Sequence, residues 1–90
     1  MKHTIKVKVR NKMGLHTRPA TAIVKLLRHF QSHVTFTFNR KTINAKSILS
    51  ILMLAARKDS MITITADGVD SQEVVDQLQT AFDTEFGDQY

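Results

Sequence analysis

The 90-residue chain has no cysteine and no tryptophan, and it has only one proline and three glycines. The lack of cysteine excludes disulfides, thiolate nucleophiles and Cys-ligated zinc. No apolar run approaches the roughly 20 residues that span a bilayer, and the N-terminal segment alternates lysine with β-branched residues, unlike a signal peptide. No linker or repeat interrupts the pattern. We therefore expect residues 1–90 to form one cytoplasmic domain that does not insert into membranes.

Acidic residues are missing from the first part of the chain. All 13 Lys and Arg lie between Lys2 and Lys58, and all eight Asp and Glu lie between Asp59 and Asp88, which gives a formal net charge of +5. This separation predicts a basic face and an acidic face, and a partner that is anionic or rich in acid. Nucleic acid, a phosphorylated ligand and an acidic protein all fit, and a charge separation without function is the alternative.

The hydrophobic pattern changes between the period of a strand and the period of a helix. Strict alternation predicts four strands, and apolar residues at helical spacing predict three helices. The predicted strands are 4–10, 34–38, 41–45 and 61–66, and the predicted helices are 19–30, 47–56 and 70–87. The order βαββαβα predicts an α+β fold, a two-layer open-faced sandwich in which helices pack on one face of a four-stranded antiparallel sheet.

Two local signals refine this arrangement. Asn39–Arg40 is a two-residue turn between the second and third strands, without the usual glycine at its second place. This turn sets Phe36 opposite Ile43 and keeps the apolar face continuous. Asp70, with Glu73 three residues later, has the spacing of a capping box at the start of the third helix.

The segment Gly14–Ala20 carries the residues with the most evident chemistry. It places an imidazole, a hydroxyl and a guanidinium at the predicted start of a helix, where backbone N–H groups favour anions. Imidazole is a nucleophile near neutral pH, since its unperturbed pKa is about 6.5. We expect His16 to accept a phosphoryl group, held by Arg18 and the backbone amides. The alternative is that His16 only caps the helix beside a solvated Arg18.

The second unusual segment is Ser47–Ala56. Ser47 is the predicted N-cap of a short helix. Eight of the nine residues after Ser47 are apolar, which is more than a single core-facing stripe requires. This surplus predicts an exposed patch for partners, to which the flexible Leu52 and Met53 are suited. The alternative is a small helix sunk in the core.

Other catalytic and metal-binding patterns are weak. His29 and His33 are four residues apart but have no third ligand nearby, so we predict no metal site and no cofactor. Neither GxSxG nor GxxxxGK[ST] occurs in the sequence. A Ser-His-Asp arrangement assembled by the fold is the remaining catalytic alternative.

Two motifs carry a resemblance to a known family. Asn11–Ala20 resembles the active-site motif of HPr, the histidine-containing phosphocarrier of the bacterial phosphoenolpyruvate-dependent phosphotransferase system. Ala45-Lys46-Ser47-Ile48 resembles the second motif of the family, around a serine that some bacteria phosphorylate for regulation. The resemblance extends over essentially the whole chain.

The resemblance implies specific chemistry at the first motif. His16, at the N-cap of its helix, would take a phosphoryl group on Nδ1 from phosphorylated enzyme I and pass it to an enzyme IIA domain. Arg18 and the backbone amides of Thr17 and Arg18 would hold the phosphate. Such a protein is a stoichiometric carrier in sugar uptake or its regulation, and not an enzyme with its own turnover.

The resemblance also implies a regulatory site and a docking surface. Ser47 would be the target of a serine kinase and phosphorylase, and Leu15, Ile48 and Leu52 would contact partner proteins. We expect a monomer, because the carrier must present its site to successive partners.

Two rival functions remain at this stage. A regulatory paralogue, such as a nitrogen-branch phosphocarrier, would use the same histidine with other partners. An RNA-binding module shares the order βαββαβ and a basic composition. However, such modules stack bases on aromatic residues of two central strands, whereas the third strand here has none, and Phe36 and Phe38 share the inward face of Val34. We therefore predict no nucleic-acid partner.

Overall fold

The computed structural model describes residues 1–87, which form a four-stranded sheet and three α-helices. The strands are β1 (Lys2–Lys8), β2 (His33–Phe38), β3 (Lys41–Asn44) and β4 (Met61–Asp67). The helices are α1 (Thr17–Leu27), α2 (Ile48–Met53) and α3 (Ser71–Asp83), and a 3₁₀ turn (Glu85–Gly87) follows α3. The predicted order βαββαβα is confirmed.

The sheet is antiparallel throughout, with the strand order β1-β4-β2-β3. The central apolar row runs across all four strands, because Ile5 lies opposite Ile64, Ile64 opposite Phe36, and Phe36 opposite Ile43. The predicted register of the hairpin is therefore correct. Phe36 and Ile64 are fully buried in this row.

The helices cover only one face of the sheet, as predicted. Helices α1 and α3 bury one stripe each, exemplified by Ile23 and Leu27 on α1 and by Leu78 and Phe82 on α3. The other face carries alternate residues of each strand, which are mostly lysine and threonine. Its threonines in the register of the sheet are Thr4, Thr35, Thr37, Thr42, Thr63 and Thr65. In residues 1–87, the strands place no Phe, Tyr or Trp side chain on this open face, where His33 is the one aromatic ring.

The β2–β3 turn has two consecutive residues in the left-handed region, with φ of 52° at Asn39 and 67° at Arg40. Positive φ at both central positions identifies a type I′ turn, whose twist matches that of a two-stranded hairpin. Asparagine tolerates this conformation, whereas for arginine it costs about 1–2 kcal/mol. The turn was predicted correctly, and Arg40 is the strained residue in it.

Helix α3 begins after Asp70, but the predicted capping box is wrong. The Asp70 side chain makes no capping hydrogen bond to its own helix. Its carboxylate instead accepts hydrogen bonds from the backbone N–H of Gln31 (2.8 Å), the backbone N–H of Ser32 (3.0 Å) and the Ser32 hydroxyl. These three donors of the α1–β2 loop outcompete the capping geometry, and the loop is tied to the start of α3.

The ends of the helices differ from the predicted boundaries. Helix α1 begins two residues before Pro19 and ends at Leu27. Helix α2 ends at Met53, and Ala55 then adopts a φ of 52°, which turns the chain out of the helix. Helix α3 ends at Asp83 and not at Gly87, because Glu85 and Phe86 both have positive φ.

Phe86 packs against the core although it lies beyond the kink after α3. The centroid of its ring lies 4.8 Å from the centroid of the Phe82 ring in an edge-to-face arrangement. Tertiary packing therefore holds Phe86 against the core although the helix has ended.

Candidate functional site

His16 is the N-cap of α1, with extended backbone angles (φ −80°, ψ −169°). Its carbonyl oxygen accepts the first helical hydrogen bond from the N–H of Ala20 at 3.1 Å. Its side chain is half-buried and does not cap the helix. The N-cap position matches what the family resemblance implied, and Thr17 and Arg18 form the exposed first turn beside it.

The loop before His16 is supported by the segment that follows α2. Gly14 has a φ of 68°, and a Cβ at this position would lie 2.3 Å from the carbonyl oxygen of Ala56 and 2.9 Å from the Cα of Arg57. The next residue, Leu15, donates its backbone N–H to that same Ala56 oxygen at 2.9 Å. Glycine is therefore required at position 14 by both conformation and space.

Asn11 is a second support, to which the sequence reasoning gave no role beyond its place at the start of the Asn11–Ala20 motif. Its side chain is 1% exposed, and its Nδ2 donates to the carbonyl oxygen of Glu85 at 3.0 Å. The Asn11 carbonyl oxygen accepts the N–H of Gly14 at 2.9 Å. Asn11 thus connects the loop before His16 to the turn at Glu85–Gly87. A polar residue that anchors a loop over such a separation in sequence leaves no local signal.

The electrostatic environment at the start of α1 favours an anion. The first turn of α1 contains no acidic residue, and the partial positive charge of a helix N-terminus is concentrated there. The exposed residues Arg18, Lys25 and Arg28 add basic charge along the same helix. The site lies on the surface, since Thr17 and Arg18 are exposed and His16 is half-buried. An incoming group would therefore meet it from solvent or from a partner.

The structure places Ser47 at the start of α2, which is in contact with α1. Its Oγ accepts a hydrogen bond from the backbone N–H of Ser50 at 3.2 Å, so the predicted N-cap is confirmed. The preceding Lys46 donates from Nζ to the carbonyl oxygen of Phe30 at 2.9 Å. This bond ties the start of α2 to the loop that follows α1.

The three predicted docking residues differ in accessibility. Leu15 is only 5% exposed and belongs to the hydrophobic core, so it offers almost no area to a partner. Ile48 and Leu52 are half-buried at the edge of the core. The apolar side chains that face solvent in this region are different ones.

Those side chains are Met13, in the loop before His16, and Leu49 and Met53 on α2, and we call these three residues the apolar patch. Their exposed fractions are 63%, 68% and 64%, respectively. Leu49 and Met53 are four residues apart and share one face of α2. The composition of Ser47–Ala56 predicted a surplus of apolar surface, but it could not show which face of α2 was left uncovered. Leu49 was therefore missed.

The other histidines do not assemble a second site. His3 lies 2.8 Å (Nδ1 to Oγ) from Ser71, but Ser71 is 1% exposed, so a substrate could not reach this hydroxyl. His29 and His33 are exposed, in the loop after α1 and on β2. Within residues 1–87, no group of three or more His, Cys, Asp or Glu side chains is placed to hold a metal ion.

Comparison with known proteins assigns the family. The profile described as "PTS HPr component phosphorylation site" matches residues 3–84. The chain belongs to the HPr family of phosphocarrier proteins. It is 41% identical over 80 residues to the phosphocarrier protein HPr of Chlamydia muridarum (strain MoPn / Nigg), covering 89% of this chain and 77% of that protein.

Solved HPr structures confirm the fold as well. The chain matches HPr of Thermoanaerobacter tengcongensis with a TM-score of 0.92 and 30% identity, over 98% of this chain and 99% of the other. It also matches Crh of Bacillus subtilis, a catabolite repression protein solved as a swapped dimer, with a TM-score of 0.72, 38% identity and coverage of 88% and 90%. The solved relatives thus include dimers. Among the described residues, no helix has the length and apolar character to cross a membrane.

Proposed function

We propose that this HPr-family chain accepts a phosphoryl group on Nδ1 of His16 from phosphorylated enzyme I and donates it to an enzyme IIA domain. The phosphoryl group originates in phosphoenolpyruvate and serves sugar uptake or its regulation. In the first transfer, the bond from phosphorus to enzyme I breaks as the bond from phosphorus to Nδ1 forms. In the second transfer, the bond from phosphorus to Nδ1 breaks as a bond from phosphorus to the IIA domain forms. The observation that carries the proposal is His16 at the N-cap of α1 within a chain of this family.

The start of α1 supplies stabilisation that is modest enough for transfer in both directions. The backbone amides of Thr17 and Arg18 and the helix dipole act on the phosphoryl oxygens, and the Arg18 guanidinium adds one charge-assisted donor. A tighter anion site would lower the energy of phosphorylated His16 and slow its donation. On this account the chain is a stoichiometric carrier and not an enzyme with its own turnover.

Docking would combine the apolar patch with the basic residues of α1. Leu49 and Met53 provide exposed apolar area on α2, while Arg18, Lys25 and Arg28 attract acidic partners. Electrostatic steering of this kind accelerates encounter and makes the rate sensitive to salt. We propose that the carrier acts as a cytoplasmic monomer, which sedimentation at several concentrations would test.

Ser47 is the proposed regulatory site for a serine kinase and phosphorylase. A phosphate there would add negative charge at the start of α2, where the helix dipole favours it, but close to the docking surface. Phosphorylation should therefore weaken the contact with enzyme I more than it destabilises the fold.

The decisive experiment mixes the protein with phosphoenolpyruvate and a bacterial enzyme I and follows intact mass. Wild type should gain one acid-labile phosphoryl group, and His16→Ala should gain none. His29→Ala is the matched control, since His29 is an exposed histidine that lies beyond the C-terminal end of α1. Uptake by His16→Ala, or no uptake by wild type with a competent enzyme I, would contradict the proposal. Transfer onward to a panel of IIA domains separates the sugar branch from a regulatory paralogue.

A further inference from the structure

All four methionines of this chain are exposed. Met1, Met13, Met53 and Met61 are 85%, 63%, 64% and 49% exposed. The buried core of residues 1–87 contains no methionine and consists of Val, Ile, Leu, Ala and Phe. Because the chain has no cysteine, these thioethers hold all of its oxidisable sulfur.

Two of these methionines belong to segments that flank the candidate site, namely the loop before His16 and helix α2, which contacts α1. Met13 precedes Gly14, which packs on Ala56 in the loop that supports His16. Met53 is the last residue of α2 and, with Leu49, forms its exposed apolar face. By contrast, Met61 lies opposite Lys8 at the end of β4, on the open face of the sheet.

We propose that Met13 and Met53 form an oxidant-sensitive modification site that controls docking. This inference rests on the proposed function. A peroxide transfers one oxygen atom to each thioether sulfur, which is oxidised to the sulfoxide, and each peroxide consumed is reduced to water. The product is a polar, chiral group in place of a flexible apolar one. Oxidation of both methionines would make the apolar patch largely polar, because Leu49 would be its one unchanged residue.

The expected consequence is weaker binding of phosphoryl donors without damage to the fold. Both side chains are exposed, so their oxidation introduces no polar group into the core. The His16 imidazole and the start of α1 are chemically unchanged. The effect should therefore appear as a higher KM for the carrier, with kcat preserved.

The test compares oxidised and untreated protein in phosphoryl uptake from enzyme I. The carrier is treated with hydrogen peroxide, the peroxide is removed with catalase, and peptide mass mapping assigns the sulfoxides before enzyme I is added. Oxidation should raise the KM of wild type several-fold. The variant carrying both Met13→Leu and Met53→Leu should keep its KM after treatment, because Leu replaces Met with little change in volume or polarity. Met61→Leu is the matched control and should respond as wild type does.

Each other outcome overturns the inference. An unchanged KM in oxidised wild type, or an equal rise in the double variant, would show that these sulfurs do not control docking. A circular dichroism melt of the oxidised protein distinguishes weaker docking from unfolding, and loss of the folded transition would also refute the proposal. Failure of the proposed function would give a different result, because untreated wild type would then take up no phosphoryl group. In that case there would be no docking for the methionines to control.

Discussion

The starts of α1 and α3 are both helix N-termini, with unpaired backbone N–H groups, but they have opposite side-chain chemistry. At α3, the Asp70 carboxylate is held by three donors of the α1–β2 loop, and Glu73 adds a second acid in the first turn. At α1, the N-cap is His16, the first turn contains no acid, and Arg18 follows. The start of α3 therefore carries acidic side chains of the protein itself. The start of α1 carries none and favours an anion from outside the chain.

On the proposed function, the same structural element serves stability at α3 and phosphoryl transfer at α1. A carboxylate fixed at a helix start ties two parts of the chain together permanently. A phosphoryl group must arrive and leave, so the corresponding charge at α1 cannot be built into the sequence. The predictions below exchange or remove the charges that distinguish the two helix starts.

The largest effect is expected when α1 is given the acid that α3 already has. Thr17→Asp places a negative charge in the exposed first turn, beside the group that His16 would carry. Phosphoryl uptake should fall roughly tenfold or more through repulsion between like charges. The free energy of unfolding should rise by about 0.3–1 kcal/mol, because the helix dipole favours this charge. Uptake kinetics and urea denaturation measure the two effects.

A matched control places the same charge in the first turn of α3. Gln72→Asp should leave phosphoryl uptake at the wild-type rate, since α3 does not carry the histidine. An equal loss of rate in both variants would show that net charge, and not position, determines uptake.

Removal of the fixed charge at α3 should change stability and leave function intact. Asp70→Asn keeps the shape of the side chain but weakens the hydrogen bonds from Gln31 and Ser32, because charge-assisted bonds are stronger than neutral ones. We expect a lower thermal unfolding midpoint with normal phosphoryl uptake. A normal midpoint would mean that the contact between the loop and α3 contributes nothing measurable.

Helix α2 provides an intermediate case, because its N-cap is a neutral hydroxyl. Ser47→Ala should lower the free energy of unfolding by about 1 kcal/mol through loss of the bond to the Ser50 N–H. Ser47→Asp should retain the cap and the stability but slow uptake from enzyme I. An unchanged rate in Ser47→Asp, measured alongside a normal unfolding curve, would refute the regulatory role of this serine.

The smallest effect is a pH dependence confined to acid conditions. The Ser32 hydroxyl, and then the Gln31 N–H, hold the pKa of Asp70 below its usual value of 3.8. Because the pKa of Asp70 is lower in the folded state than in the unfolded state, its carboxylate stabilises the fold at any pH above the unfolded-state pKa. This contribution disappears as the pH falls through the folded-state pKa. The stability difference between wild type and Asp70→Asn should therefore be constant near neutrality and shrink in acid. Urea denaturation at a series of pH values would measure it, and a difference that grew in acid would contradict this assignment.

Sequence reasoning succeeded where the signal is local or periodic. The alternating strands, the apolar stripes of α1 and α3, the Asn39–Arg40 turn and the Ser47 cap depend on neighbouring residues, and all are confirmed. The position of His16 as N-cap required the family resemblance, because Pro19 alone pointed to a later start.

The errors involve contacts between segments that are distant in sequence. The spacing of Asp70 and Glu73 fits a capping box, but Ser32 and Gln31 arrive from another part of the chain and compete for the carboxylate. The exposure of Leu49 and the burial of Leu15 depend in the same way on which surfaces the fold brings together. A one-dimensional pattern does not contain this information.

The position of β1 at the edge of the sheet has a consequence for synthesis on the ribosome. His16 precedes both of its supports in the chain, because the loop before it rests on Ala56, and among the described strands β1 pairs with β4 alone, residues 61–67. The β2–β3 hairpin can form from neighbouring residues, whereas β1 must wait until β4 has been synthesised. A nascent or truncated chain that lacks β4 therefore presents the histidine beside an unpaired β1. Competence for phosphoryl transfer would arise only after β4 has been made.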